Sequence, residues 1–538
     1  AARGAAGQGH GHGGGHAEGG GGEAGAKRPL EAITWNIAAV NNNPFEYWVT
    51  HSDPAYNELM REVQNYIDDP GGDPAVHEVF TDTMFSTLLD DIRGVGHTDL
   101  REVERLWRTE YRTRRAVSGF LKDKSLGAKR LASMPDRVTN TINTLAGGVL
   151  LRPTVINCFQ GELGSVETWW AQWRSFMFTT TVEVESERMR GKGPQVVVRL
   201  LEPILHSKYP AITAEEQQIS IPLQILCLAV FDAILVHMLN TIASATWQGL
   251  RTSLCNALHT HKDEKIMKIL RDTYPQSDVV FIQEAAAAFV DRVESHKELS
   301  QRFFVLHPRK LDGTRDQNSI ILASREYFEE ETAVDVTPRV HQHLQTHEVW
   351  PSSDGDLVAV SIKGKQDGFP YLLVSFHGDT NGLGTLPAVR AVNRMAKETL
   401  EGHILVFGLD ANTYKEHSDK YQGVEHFHQC ITENGFGSCW GDSPDPMSST
   451  TCNARTYLQP QLNKAVGLAD KYTKADKNLK DWIIFFRNQI TSSPGEKDNT
   501  GNGEYIQDMI FPTLAFPSDH AVVAAKLTVK DAAARRGA

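Results

Sequence analysis

An excess of positive charge is the first thing that the sequence lacks. Its 538 residues include 55 Lys and Arg against 67 Asp and Glu, which gives a formal net charge of −12 at pH 7. Proteins that grip nucleic acid over their whole surface need dense Lys and Arg to neutralise phosphates, so the composition disfavours such a protein. It still allows a local basic groove or a metal site that handles phosphate. The length is sufficient for two or three domains.

The sequence also lacks the cysteine spacing of a structural zinc site. No two cysteines form a C-x-x-C pair, and histidines do not alternate with them at zinc-ligand intervals. The six cysteines are Cys158, Cys227, Cys255, Cys430, Cys439 and Cys452. We therefore expect reduced thiols rather than a structural metal site or a disulfide framework.

An apolar run free of charge and long enough to cross a membrane is missing as well. The nearest candidate, residues 221–240, carries Asp232 and His237 in its middle, and a charge at that depth is costly in lipid. We predict a buried amphipathic helix there and no transmembrane segment. No apolar signal segment is recognisable near the start of the sequence. These features favour a soluble intracellular protein, although they do not identify a compartment.

Composition and periodicity divide the chain into distinct parts. Residues 1–27 are rich in Gly, Ala and His and are predicted to form a disordered tail, because they cannot bury enough apolar surface to fold. Residues 531–538 are predicted to be a C-terminal tail. Residues 49–267 show mainly helical periodicity. Residues 28–48 and 268–530 alternate strands with helices, a pattern typical of a layered α/β sandwich.

One basic segment within the helical region permits two interpretations. Residues 93–137 are rich in Arg and Lys, including Arg112, Arg114, Arg115, Lys122, Lys124, Lys129 and Arg130. The segment is either a patch that meets a polyanion or the solvated face of a helix. We favour the solvated face, because charge runs on helices are commonly exposed to water.

Polar side chains recur at the ends of successive predicted strands. They are Asn36, Glu284, His377, Asp410, Asn412, Asp481, Asp519 and His520. A single residue of this kind is usually part of a turn or cap, but so many oxygen and nitrogen ligands at successive strand ends are hard to explain in that way. Mg²⁺ prefers carboxylate, amide and water oxygens. Together with acid–base and cationic imidazole groups, the set suits metal-assisted hydrolysis of a phosphate ester.

The ordered motifs TWNI, VVFIQE, SFHG, GLDAN, DWIIF and PSDH resemble those of the endonuclease/exonuclease/phosphatase superfamily. The resemblance covers residues 28–48 and 268–530, about half of the chain. It implies an α/β fold of the DNase-I-like type, a four-layer α/β sandwich, here interrupted by a mainly helical insertion at residues 49–267. Three departures stand out: the family's Gly-Asp-x-Asn has one more residue after Gly408, Phe376 replaces the common Thr before His377, and the gap between Asn36 and Glu284 is far longer than is usual in the family.

The resemblance implies a role for each matched residue. It assigns divalent metal binding, of Mg²⁺ or alternatively Mn²⁺, to Asn36, Glu284 and Asp519. It assigns catalysis to Asp410, Asn412, His520, His377 and Asp481. In this scheme Asp410 positions or deprotonates the attacking water, and Asn412 holds that aspartate and the phosphoryl group. His520, oriented by Asp481, and His377 face the scissile phosphate.

The substrate is less constrained than the chemistry, because one fold can serve many reactions. Inositol-phosphate phosphatases commonly place an Arg shortly after the Asp-x-Asn pair, whereas here Thr413-Tyr414-Lys415 follows. This favours a phosphodiesterase or nuclease, acting on nucleic acid or a nucleotide, over a phosphatase of inositol phosphates or lipid headgroups. A third possibility is a scaffold that uses the helical insertion to bind a protein partner.

A loop before Asp481 provides candidates for substrate binding. Residues 449–465 lie where relatives often contact substrate, and Asn453, Arg455 and Tyr457 could hold a phosphate and stack a base. The alternative is a surface loop that braces the site.

Overall fold

The computed structural model describes residues 28–39, 42–184, 189, 191–313, 316–345 and 353–531. The predicted tail at residues 1–27 lies outside this part of the chain, as does the predicted C-terminal tail apart from Asp531.

The described strands are β1 (Leu30–Asn36), β2 (Thr141–Asn143), β3 (Val149–Leu151), β4 (Thr181–Val182), β5 (Gln195–Val196), β6 (Val279–Ala285), β7 (Phe303–Leu306), β8 (Asn318–Ser324), β9 (Phe328–Asp335), β10 (Leu357–Gly364), β11 (Pro370–His377), β12 (Ile404–Asp410), β13 (Phe436–Ser438), β14 (Asp481–Phe486), β15 (Ile490–Ser492), β16 (Glu496–Asp498) and β17 (Val522–Val529).

The described α-helices are α1 (Pro54–Asp68), α2 (Val76–Val79), α3 (Asp82–Gly94), α4 (Arg101–Leu106), α5 (Lys124–Lys129), α6 (Ser133–Thr139), α7 (Val166–Phe178), α8 (Ala214–Gln218), α9 (Ser220–Ala243), α10 (Trp247–Cys255), α11 (Lys262–Asp272), α12 (Ala287–Ser295), α13 (Lys297–Arg302), α14 (Thr337–Gln342), α15 (Thr385–Thr399) and α16 (Val424–Glu433). Short π- and 3₁₀-helical turns lie at Trp107–Tyr111, Ala116–Leu121, Val197–Leu200, Asn256–Thr260 and Leu462–Lys464.

Two mixed sheets form the centre of the strand-rich half. The first has the order β15-β17-β1-β6-β8-β7, with β16 also paired to β17, and the second has the order β13-β14-β12-β11-β10-β9. Within the first sheet β1 is parallel to β6 and antiparallel to β17, so the earliest and the latest described strands of the chain are neighbours. Within the second, β11 is parallel to β12 and β12 is antiparallel to β14.

Strand periodicity explains how the two sheets pack. Successive side chains of a strand point to opposite faces. In β6, Val279 and Phe281 therefore join an apolar layer between the sheets, whereas Val280 and Ile282 face the helices outside. On the outer side of the second sheet, α15 and α16 bury their apolar faces in a separate cluster. The order helix, sheet, sheet, helix confirms the predicted four-layer α/β sandwich.

Buried polar side chains connect the two sheets beneath their polar strand ends. The Gln283 amide nitrogen donates to Thr34 Oγ1 at 3.1 Å and to Ser375 Oγ at 3.0 Å. Gly408 packs so closely against Phe281 that an added Cβ would lie 2.4 Å from its ring. The motifs TWNI, VVFIQE, SFHG and GLDAN thus contain residues that hold the sheets together as well as the predicted site residues.

The chain between β1 and β6 is mainly helical and is built around α9. Helices α1, α2, α3, α6, α7 and α10 all contact it. Helix α9 is long and apolar enough to cross a membrane by length and composition, but 78% of its most apolar window is buried inside the protein. The buried helix was predicted correctly. Its amphipathic character was not, because consecutive residues from Pro222 to Val236 are all buried.

A polar network inside this region accommodates the acidic residue of α9. Asp232 is fully buried, and it accepts hydrogen bonds from Arg152 Nε at 2.8 Å, from Thr154 Oγ1 at 2.7 Å and from Trp173 Nε1 at 3.0 Å. Burial raises the pKa of Asp232, and the Arg152 charge partly offsets that rise. A buried carboxylate is tolerated when its oxygens are satisfied in this way.

The cysteine prediction needs one correction. Cys158 and Cys255 form a disulfide, with their Cα atoms 5.6 Å apart and a sequence separation of 97 positions. The pairing joins α10 to the segment before α7, a proximity that residue spacing alone does not reveal. Cys227, Cys430 and Cys439 are free thiols, as is Cys452.

Candidate active site

The predicted catalytic and metal-binding residues meet at one edge of the sandwich. The register pairs His377 with Asp410 across β11 and β12, and Asp410 with Asp481 across β12 and β14. Asn36 ends β1 beside β6, which carries Glu284. Because neighbouring strands end at this edge, residues that are distant in sequence come within hydrogen-bonding distance.

Asp410 lies at the centre of the group and is 1% exposed. Its Oδ2 accepts a hydrogen bond from the Asn36 side-chain nitrogen at 2.9 Å, and its Oδ1 accepts one from the backbone N–H of Asn412 at 2.9 Å. Burial alone raises the pKa of Asp410, but the positive fields of His520, His377 and Lys480 outweigh burial and hold it below the ordinary value. The carboxylate is therefore ionised at neutral pH.

His520 and Asp481 form a hydrogen-bonded pair next to Asp410. The imidazole Nδ1 lies 3.0 Å from Asp481 Oδ2, and Nε2 lies 3.8 Å from Asp410 Oδ2. Thr450 Oγ1 donates to the same Asp481 carboxylate at 2.5 Å. Burial lowers the pKa of His520, but the negative charges of Asp481 and Asp410 outweigh it and raise the pKa to about 10. The imidazole is cationic at neutral pH.

Glu284 provides a second carboxylate at the same edge. Its Oε1 lies 3.1 Å from the Asn36 amide nitrogen and 3.4 Å from His377 Nε2, and its Oε2 accepts from the backbone N–H of Ala39 at 2.6 Å. Burial raises the pKa of Glu284, but His377 and these two hydrogen bonds outweigh burial and lower it. The backbone of Glu284 has φ of +57°, and that of Asn412 has φ of +48°. Such non-glycine strain is common at functional sites.

Asn36 is oriented differently from a metal ligand. Its side-chain oxygen accepts from the backbone N–H of Ala38 at 2.8 Å, while its nitrogen faces Glu284 and Asp410. In this arrangement Asn36 supports the two carboxylates. A role of Asn36 as a metal ligand stays a prediction, and it requires the side-chain amide to rotate so that its oxygen faces the metal.

The donor set fits a hard divalent cation. Ligand atoms of Asp410, Asp481 and His520 lie within 4.8 Å of one another, but the cationic His520 is unsuited to bind a metal through nitrogen. Glu284 and Asp410 remain as ionised carboxylates on either side of the Asn36 amide. Asp519, which directly precedes His520 in the sequence, is half-buried. Carboxylate and amide oxygens are the ligands that Mg²⁺ prefers.

The three predicted substrate-binding residues have different surroundings. The Asn453 amide donates to Asp519 Oδ2 at 3.1 Å. The Arg455 guanidinium pairs with Glu46 and lies 5.3 Å over the Tyr47 ring. Asn453 and Arg455 line the cleft described below, whereas Tyr457 is not among the described residues that line it. The proposed stacking role of Tyr457 therefore has no geometrical support.

Two lysines that contribute to the site were not predicted from the sequence. Lys480 is buried and binds Asp476 at 2.9 Å, and it contributes to the low pKa of Asp410. Lys262, at the start of α11, donates to the backbone oxygens of Ala38 and Ala39. Lys480 directly precedes Asp481, the first residue of the DWIIF motif, and this position is a sequence signal that could have identified it. Nothing in the local sequence distinguishes Lys262.

These residues lie in a cleft of about 2110 Å³ between the sandwich and the helical region. The sandwich contributes Glu284, His377, Asp410, Asn412 and His520. The opposite side is contributed by the helical region, with Arg130, Ser133, Asp136, Arg137, Asn140 and His259. The insertion thus forms a wall of the cleft that contains the candidate active site.

The chain was compared with protein families, with curated proteins and with solved structures. A family described as a domain of unknown function (DUF8234) matches residues 73–252, which lie between β1 and β6. Among curated proteins, no sequence matches the chain significantly.

Solved structures similar to this chain cover about half of it. An endonuclease/exonuclease/phosphatase family protein from Bacteroides thetaiotaomicron is 13% identical, covers 53% of this chain and 93% of its own, and has a TM-score of 0.35. D. rerio TDP2 complexed with a single-strand DNA product is 14% identical, with coverages of 51% and 95% and a TM-score of 0.33. The human Nocturnin catalytic domain with bound sulfate is 11% identical, with coverages of 52% and 89% and a TM-score of 0.32. On the evidence of its own strand order, sheet packing and assembled motifs, the chain has the endonuclease/exonuclease/phosphatase (DNase-I-like) fold.

Proposed function

We propose that the chain is a metal-dependent hydrolase of phosphate esters that acts as a phosphodiesterase or nuclease. The observation that carries the proposal is the position of Asp410 at the floor of the cleft, hydrogen-bonded to Asn36 and within 4 Å of both His377 and His520. An ionised carboxylate between two imidazoles provides a proton acceptor and hydrogen-bonding groups at one point.

Each residue has a distinct task in this proposal. Asp410, fixed by Asn36 and by the Asn412 backbone, accepts a proton from the water that attacks phosphorus. His520 is held by Asp481, which leaves Nε2 to stabilise charge on the phosphoryl oxygens. His377 approaches the same region from β11 and serves as a second hydrogen-bonding group.

A divalent cation would be held mainly by Glu284, with Asp519 and a reoriented Asn36 as further ligands. Bound there, Mg²⁺ or Mn²⁺ supplies charge neutralisation for the phosphate and its leaving oxygen. The ionised state of Glu284 follows from its lowered pKa. Glu284→Ala is therefore expected to raise the Mg²⁺ concentration needed for half-maximal activity.

The test is hydrolysis of bis-p-nitrophenyl phosphate with Mg²⁺ and with EDTA. We expect turnover only with metal, and a loss of at least ~10²-fold in kcat/KM for Asp410→Asn, because the proton acceptor is removed. Asp419→Asn makes the same chemical change at an exposed position of the same half of the chain and should behave as wild type. Equal activities of wild-type protein and Asp410→Asn would reject the assignment.

The same assay separates the alternatives. Preference for inositol polyphosphates over the diester would support a phosphatase. Absence of turnover on every substrate would favour a scaffold that uses the helical region to bind a protein partner. We also propose that residues 49–267 form an inserted domain. The contribution of that region to the cleft wall supports a role in substrate contact.

A further inference from the structure

Two buried polar atoms on the helical side of the cleft have no hydrogen-bond partner within the described part of the chain. They are Nε of Arg130 and Oγ of Ser133. Ser133 is only 8% exposed, and both residues line the cleft. Buried polar groups are paired in the great majority of cases. Two unpaired donors that border the same space indicate an acceptor that binds there.

Most of the basic segment at residues 93–137 is explained by ion pairs near the surface. Arg112 binds Asp82, and Arg114 binds both Glu110 and Asp123. The predicted solvated face therefore describes these residues well. Arg130 and Arg137 differ, because neither forms an ion pair with any described residue and both face the cleft. The two interpretations of the segment thus apply to different parts of it.

A further cation reaches the same region from the sandwich half. Lys464, at the end of the turn Leu462–Lys464, lines the cleft and has no ion pair among the residues described. Its pKa is lowered by burial and by the positive charges of Arg455, Arg130 and Arg137. Lys464 and these three guanidinium groups are therefore close enough in space for their charges to interact.

The nearby acids do not cancel this charge. Glu46 is engaged by Arg455. Asp136 binds Arg152 at 2.6 Å and accepts from the Asn140 amide at 3.1 Å. Clustered cations whose acidic neighbours are already engaged are stabilised by a bound anion, and guanidinium groups are well suited to phosphate.

The cation cluster belongs to the same cleft as the candidate active site. Arg455 interacts electrostatically with Asp519 and Asp476 on one side and with Lys464 on the other. The cleft volume of about 2110 Å³ exceeds the ~300–1,000 Å³ of ordinary small-molecule pockets. A ligand that reaches both ends is therefore larger than a single phosphate ester.

We propose that a second phosphate-binding site, the distal subsite, faces the catalytic group along the cleft and binds a further phosphate of a single-stranded nucleic acid substrate. It consists of Arg130, Ser133, Arg137 and Lys464. A nucleic acid strand carries phosphates in series, which matches one phosphate at Asp410 and another at the distal subsite. The substrate assignment rests on the proposed function, while the anion site rests on the unpaired donors and the cation cluster.

The test measures binding directly. Fluorescence anisotropy gives the Kd of labelled single-stranded oligonucleotides of increasing length, in EDTA so that the strand is not cut, over a series of salt concentrations. Arg137→Gln and Lys464→Gln are suitable because both side chains are exposed and their removal should not impair folding. We expect each to weaken binding of a 12-mer about fivefold and to reduce the salt slope by ~0.7, the value for one phosphate contact on a single strand. Arg108→Gln, in the same basic segment and with a side chain 74% exposed, is the matched control.

The outcomes are distinct. Loss of 12-mer affinity and salt slope in the two variants, but not in Arg108→Gln, supports the distal subsite even if wild-type protein fails to hydrolyse bis-p-nitrophenyl phosphate, in which case only the proposed function falls. Unchanged affinity in both variants overturns the inference even if hydrolysis is observed. Weaker binding of inositol hexakisphosphate without any effect on oligonucleotides overturns the nucleic acid assignment.

Discussion

At the residue scale, the ionisation of the candidate site depends on pairs that only the fold brings together. Asp481 opens one strand, and His520 precedes another that belongs to the other sheet, yet their side chains are 3.0 Å apart. This contact, with the nearby Asp410, raises the pKa of His520 to about 10 despite burial. The imidazole cation is therefore a product of tertiary structure.

Asp481→Asn should lower the pKa of His520 toward its ordinary value of ~6.5, because the largest stabilising charge is removed while burial remains. The measurement is an NMR titration of the His520 ring in metal-free protein. Because the folded pKa is raised, wild-type protein keeps this stabilising contribution below pH ~6.5 and loses it as the pH rises through about 10. Asp419→Asn is the control, and an unshifted His520 titration in Asp481→Asn would contradict the explanation.

The identities of the site residues could be predicted from sequence, but their orientations could not. The motif order predicted that Asp410, Glu284 and His520 would lie together, because polar residues at the ends of apolar strands are local features of the sequence. Whether Asn36 presents its oxygen or its nitrogen depends on Ala38, Glu284 and Asp410 together. Side-chain rotation of that kind is decided by partners far apart in sequence.

At the scale of elements, the apolar runs of the site motifs and their polar ends predicted strands that the structure contains as β1, β6, β11, β12 and β14. Strand β9 was missed because its sequence FEEETAVD is charged and most of its residues are partly or fully exposed at the sheet edge. Helix α9 was expected to have a polar face, but surrounding helices cover nearly all of it. Edge strands and central helices deviate from simple periodicity because their neighbours, not their own pattern, set their burial.

The contact between β12 and β6 offers a test of sheet packing. Gly408→Ala would put a Cβ 2.4 Å from Phe281 in the layer between the sheets, and we expect ~1–3 kcal/mol of destabilisation from overpacking. Gly249→Ala in α10 meets no atom within 4 Å and should stabilise the protein by up to ~1 kcal/mol through helix propensity. Urea unfolding of both variants measures the difference, and destabilisation of equal size at the two positions would argue against the packing account.

At the scale of the whole molecule, the inserted region and the sandwich share one apolar core. Ile33, Val280 and Ile282 of the first sheet belong to the same buried cluster as Leu228 of α9. The insertion also provides one wall of the cleft. The sequence predicted a mainly helical region at residues 49–267, but it could not reveal that this region and the sandwich are joined by continuous packing.

Deletion of residues 55–262 with a short linker should therefore give an insoluble product, because apolar surface that the helices cover would be exposed to water. Solubility and circular dichroism of the purified chain are the measurements. A soluble product with the strand signature of the sandwich would show instead that the insertion folds as its own unit.

The pairing of β1 with β17 has a consequence for synthesis. Trp35 donates through its indole N–H to the backbone oxygen of His520, 485 positions later. A ribosome must therefore synthesise the chain through His520 before the residues that flank Asp410 can assemble. Chains terminated before residue 520 lack the imidazole and the final strand, so they cannot assemble the candidate site.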